Sequence, residues 1–130
     1  MVQSFLLVGA SSDIALVLGQ MLLDKGHAVT LLARDADRVT PLTSQGANLV
    51  QGDALDQDCV LRAVEVAKEA GEGSIAGVAH LVGSLVIRPP HALALEAFNE
   101  VLHTNLSSAF LTLSIACKSM LRSGGGRLVF

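Results

Sequence analysis

Val8-Gly9-Ala10-Ser11-Ser12-Asp13-Ile14-Ala15 joins a short apolar run to an amphipathic stretch, the setting in which backbone N–H groups can receive a phosphate. The first turn of a helix has free N–H groups and about half a positive charge, so Gly9, Ser11, Ser12, Asp13 and Ile14 are candidate anion-binding residues. An ordinary tight turn, with Ser or Asp as the helix cap, accounts for the same letters. The acid raises a separate question. A carboxylate about 5 Å from a phosphate costs on the order of 3 kcal/mol at an effective dielectric of 20, so Asp13 must turn away if an anion is to sit there.

Two further positions bear on the same chemistry. After the apolar run Ala28 to Ala33 comes Arg34-Asp35; a dinucleotide fold that prefers NAD puts an acid at the strand end, and one that prefers NADP puts a base there. Ala33 holds the acid's usual place and Arg34 is a bidentate phosphate donor, which favours NADP(H) over NAD(H). Asp35 can instead pair with Arg34 or cap the next helix. Asp53, after the third short strand at Asn48 to Gln51, can accept from the exocyclic amine of adenine or cap the helix before Leu55.

These residues need a scaffold that brings strand ends together. Ser4 to Val8 reads as a strand, and Ile14 to Leu23 as a helix with apolar residues at 14, 17, 18, 21 and 22. Gly26 stops that helix, and Ala28 to Ala33 is a buried-type strand. Arg34 to Gln45 reads as a short or irregular helix and Asn48 to Gln51 as a third strand. Leu55 to Ala70 is helical, with Leu55, Cys59, Val60, Ala63, Val66 and Ala67 on one stripe, and Ile75 to Val82 is a fourth strand closing on Gly83. Beyond Pro89-Pro90, two helices are expected at Leu93 to Thr104 and Leu106 to Leu121, then a fifth strand at Arg127 to Phe130. This alternation predicts an α/β fold, a doubly wound parallel sheet with right-handed crossovers.

Composition narrows the function classes. The 130 residues fit one domain, 51% apolar but with no Trp or Tyr, so the core is aliphatic. A net charge of -3 with scattered basic residues argues against a nucleic-acid partner. Mean hydropathy is +0.53, yet Asp13, Asp24, Arg34 and Arg88 break every apolar run long enough to span a membrane. The N-terminus lacks a basic secretory n-region, so the expected compartment is the cytoplasm. Cys59 and Cys117 read as small buried thiols. With His27, His80, His91 and His103 they show no metal-ligand spacing, so no metal is assigned.

The whole chain resembles the front part of a single-domain short-chain dehydrogenase/reductase. Its first motif, Thr-Gly-x-x-x-Gly-x-Gly, falls on residues 8–15, the Asp after its third strand on Asp53, and its Asn-Asn-Ala-Gly on His80-Leu81-Val82-Gly83. Phe98-Asn99-Glu100-Val101-Leu102-His103-Thr104-Asn105-Leu106, followed by a long apolar helix, carries the resemblance furthest. It implies a Rossmann-type domain over residues 1–130 of about five strands, with helices on both faces and incomplete relative to the family. It implies cofactor contacts at Gly9, Ile14, Arg34, Asp53 and Gly83, and a catalytic role for Asn105 in positioning a lysine through a water. It also implies a carbonyl or alcohol substrate, and a homo-oligomer formed through Leu106 to Leu121. Val8, Ala15 and His80-Leu81 depart from the pattern, and the family's Ser and Tyr-x-x-x-Lys are not among these residues. The expectation is either the cofactor half of an NADP(H)-dependent oxidoreductase or a non-catalytic, self-associating nucleotide-binding module.

Overall fold

The computed structural model describes residues 1–130. Strands β1 (Ser4–Val8), β2 (Ala28–Ala33), β3 (Asn48–Gln51), β4 (Gly77–His80) and β5 (Arg127–Val129) form one sheet in the order β3-β2-β1-β4-β5. Every neighbouring pair is parallel; Val8 lies between Leu32 of β2 and His80 of β4. The fold is therefore the expected doubly wound α/β sheet.

Alternation along the strands sorts the core into two layers. Leu6 and Val8, with Leu32 and Val50, face helices α3 (Gln57–Ala70) and α5 (Ser108–Leu121), where Val60, Ala63, Ala67, Ala116 and Met120 complete one cluster. Leu7, Leu31 and Ala33 face α1 (Asp13–Asp24) and the short α2 (Thr40–Thr43), packing on Ala15, Val39 and Leu42. Both faces of β1 and β2 are thus covered, which is why their sequences are continuous apolar runs. Gly19 lets α1 approach α2 closely: a Cβ there would lie 2.6 Å from Leu42 Cδ1.

The expected boundaries shift in three places. β4 covers only Gly77–His80, because ladder geometry does not extend to Ile75 or Val82, although Ala76 N–H and Leu81 N–H still donate to Ser4 and Val8 carbonyls at 2.8 and 2.7 Å. The first of the two expected C-terminal helices starts later, as α4 (Leu95–Leu102), since Leu93 is extended. α4 also does not end before the next helix begins. A π turn over His103–Ser107 carries helical backbone from α4 into α5, and no glycine or proline interrupts Leu95 to Leu121. Cys59 and Cys117 are free and half-buried, less enclosed than expected. No helix is long and apolar enough to cross a membrane.

Candidate functional site

The chain runs β1 to β2 to β3 in one direction and then returns to place β4 on the other side of β1. Loops leaving β1 and β4 diverge at that reversal, and a crevice opens at the carboxyl ends of the strands. Gly9, Ser11 and Ser12 from the β1–α1 turn, Ala33 and Arg34 after β2, Asp53 after β3 and Gly83 after β4 line a cleft of about 350 Å³ there. Thr104 of the π turn completes its wall. A neighbouring hollow of about 610 Å³ has Ser11, Arg34, Asp35, Asp37 and Gln51 around it.

The β1–α1 turn is shaped by Gly9. Its φ of +80° is a left-handed conformation that a side chain resists, and a Cβ would lie 2.7 Å from the Val82 side chain. Gly9 and Ala10 N–H both donate to the Leu32 carbonyl at 3.0 Å, which ties the loop to β2. Ser12 is the helix cap, its hydroxyl accepting from Ala15 N–H at 3.2 Å. The N–H groups of Asp13 and Ile14 donate to nothing in the protein, which makes them available to an anion. Asp13 does not cap its helix. Its carboxylate is 90% exposed and pairs with Arg38, whose Nε also donates to the Ser11 carbonyl at 2.5 Å.

The two acids after the strands are partly committed. Asp35 Oδ1 accepts from the N–H groups of Asp37 and Arg38 at 3.1 and 3.3 Å, so it caps the 3₁₀ turn Asp37–Val39 and leaves Arg34 without a carboxylate partner. Asp53 Oδ1 accepts from Leu55 N–H at 2.9 Å, whereas the cap of α3 is Asp56. No three His, Cys, Asp or Glu side chains gather in a metal-binding group.

Asn105 follows Thr104 on the π turn and does not itself line the cleft. Its Nδ2 donates to the carbonyls of Ser84 and Val101 at 2.9 and 2.8 Å, and its Oδ1 accepts from Ser84 N–H at 3.0 Å. The amide therefore staples the segment after β4 to the helix. Gly83 gives it room, since a Cβ there would come within 3.3 Å of Asn105 Oδ1.

Beneath that wall His80 is 5% exposed, its Nε2 3.1 Å from Ser108 Oγ and its Nδ1 3.0 Å from Thr112 Oγ1. Ser108 Oγ gives its own proton to the Thr104 carbonyl at 2.5 Å. It must therefore accept from His80, which fixes the proton on Nε2 and makes Nδ1 the acceptor for Thr112. Burial pushes the His80 pKa below its ordinary value, so the ring is neutral.

Arg38 and the His80 chain carry no local signal in the sequence. Arg38 is 25 residues from Asp13, and His80 is 28 and 32 residues from its two hydroxyl partners. The sole hint is that both sit within a few residues of a strand end.

The family model described as short chain dehydrogenase matches residues 3–130. The 3-oxoacyl-(acyl-carrier-protein) reductase MabA of Mycobacterium bovis is 27% identical over 98% of the chain and 49% of its own length. The chain thus spans about half the length of the curated relatives it matches. Among solved structures, a short-chain type dehydrogenase/reductase from Mycobacterium ulcerans superposes with a TM-score of 0.86 at 25% identity, over 97% of this chain and 49% of that one. The TT0495 protein of Thermus thermophilus superposes with a TM-score of 0.82 at 26% identity, over 100% of this chain and 53% of that one.

Proposed function

The chain belongs to the short-chain dehydrogenase family, and from that premise we propose that it supplies the cofactor half of an oxidoreductase passing hydride between NADP(H) and a carbonyl or alcohol. One observation carries the reading. The unpaired Arg34 lines the cleft at the reversal of the sheet together with Gly9, Ser11 and Ser12, and the N–H groups of Asp13 and Ile14, next along the same loop, are unbonded, a donor set suited to an anionic dinucleotide.

In this proposal Gly9, Ser11, Ser12, Asp13 and Ile14 receive the diphosphate through backbone N–H groups. Arg34, facing the hollow beside Ser11, takes the 2'-phosphate that distinguishes NADP(H) from NAD(H). The free oxygen of Asp53 accepts from adenine, and Gly83 leaves space against the nicotinamide side of the cleft. Asn105 shapes the wall where substrate and cofactor would meet. The bound dinucleotide supplies the hydride. The tyrosine acid/base that the family resemblance implies is not among these residues, since they include no Tyr. Catalysis by the whole protein is therefore part of the proposal.

Calorimetric titration with NADPH and NADH tests it. NADPH should bind more tightly, and Arg34→Ala should weaken NADPH by about tenfold while leaving NADH nearly unchanged, as expected for one charge-assisted phosphate contact. Equal affinities that Arg34→Ala does not alter would refute the NADP(H) assignment.

The second reading, a self-associating module, is favoured by the exposed Leu106, Phe110 and Leu113 along the π turn and α5. Self-association through these residues is compatible with the first reading, because none of the three side chains lines the cleft that holds Gly9.

A further inference from the structure

The acid on the cofactor loop is held in place by a residue far from it in sequence. Asp13 occupies the first position of α1, where its carboxylate would stand beside any phosphate the loop received. Arg38 engages that carboxylate through Nη2 in the one ion pair of the protein, and its Nε reaches the Ser11 carbonyl. A guanidinium presents its donors in a fixed fork, so one side chain satisfies both acceptors; an ammonium would not hold the same geometry. Arg38 is itself anchored, because the Asp35 carboxylate accepts its backbone N–H and that of Asp37.

We propose that Arg38 is a positioning residue of the cofactor loop: it fixes the Ser11 carbonyl and the Asp13 carboxylate on its guanidinium and cancels the acid's charge, so that the Asp13 and Ile14 N–H groups meet a phosphate. The inference rests on the dinucleotide reading above. It explains how a loop with an acid in place of the second motif glycine remains compatible with an anionic ligand. It also separates the roles of the two arginines, Arg34 facing the ligand and Arg38 facing the loop.

A double-mutant cycle read by NADPH binding tests the idea. Arg38→Met should weaken NADPH by about tenfold, because an uncompensated carboxylate then faces the phosphate at a screened, exposed site. Asp13→Asn alone should tighten binding, since it leaves Arg38 as a free cation beside the ligand. The double variant, as neutral as the natural pair, should return to within about threefold of the natural protein, the spread expected of an exposed pair. A double variant as weak as Arg38→Met would overturn the proposal, because a clamp needed only for loop structure is not rescued by removing the acid.

Amide hydrogen exchange gives a second readout that needs no ligand. Exchange at Ser12 and Ala15, whose N–H groups donate to the Gly9 carbonyl and the Ser12 hydroxyl, should quicken in Arg38→Met, and unchanged exchange at both would overturn the role of Arg38. If the natural protein binds neither NADPH nor NADH, the dinucleotide reading falls, and exchange alone still decides whether Arg38 positions the loop.

Discussion

Lowering the pH should destabilise this protein through His80. In the native state the ring is buried, donates Nε2–H to Ser108 and accepts from Thr112, and burial lowers its pKa from the ordinary 6.5. The unfolded chain takes up a proton as pH falls through that value, while the native ring stays neutral. The unfolded state then binds more protons, so stability is complete above 6.5 and declines below it, until the pH reaches the native pKa. One proton taken up on unfolding limits the slope to about 1.4 kcal/mol per pH unit, so between roughly pH 7.5 and 5.5 His80 removes at most about 1.4 kcal/mol. Urea unfolding followed by far-ultraviolet circular dichroism measures this, since the protein has no Trp or Tyr to report by fluorescence. His80→Gln is the control, because its amide keeps one donor and one acceptor for the two hydroxyls but does not titrate. The variant should lose less stability than the natural protein across that interval. Equal losses in both proteins would show that His80 is not the titrating group and would refute the hydrogen-bond assignment behind the argument.

Two further outcomes follow from buried and exposed groups. Thr30 Oγ1 is buried in β2 with no hydrogen-bond partner, so Thr30→Val, which keeps the shape and removes the hydroxyl, should raise stability by about 1 kcal/mol in the same urea assay; a destabilised variant would mean that the hydroxyl is bonded after all. Light scattering at micromolar concentration should give a mass above the 13.5 kDa of one chain, and Leu106→Ser with Phe110→Ser should lower it, because both side chains are exposed and their loss spares the core. A monomer before substitution would refute association through this face.

Much of the fold was legible because its signals are local. Burial of β1 and β2 on both faces writes itself as unbroken apolar runs, and packing of α1 and α3 on one side writes itself as stripes of helical period. Gly9 could be read as a turn from type and place alone. The continuity of α4 and α5 was not legible, because a π turn follows from how the helix packs and its residues carry no distinctive pattern.

The sequence by itself determined the alternation of strands and helices and, through that alternation, the edge of the sheet at which Gly9, Arg34, Asp53 and Gly83 emerge. Tertiary structure alone decided what those residues touch. It put the Asp13 carboxylate on Arg38 and not on its own helix, and it spent the Asn105 amide on the Ser84 carbonyl. The reason is one of range. Periodicity and capping are set by residues up to four apart, whereas the pairings that fix charge and proton positions here join residues 25 to 32 apart, brought together only when the strands align.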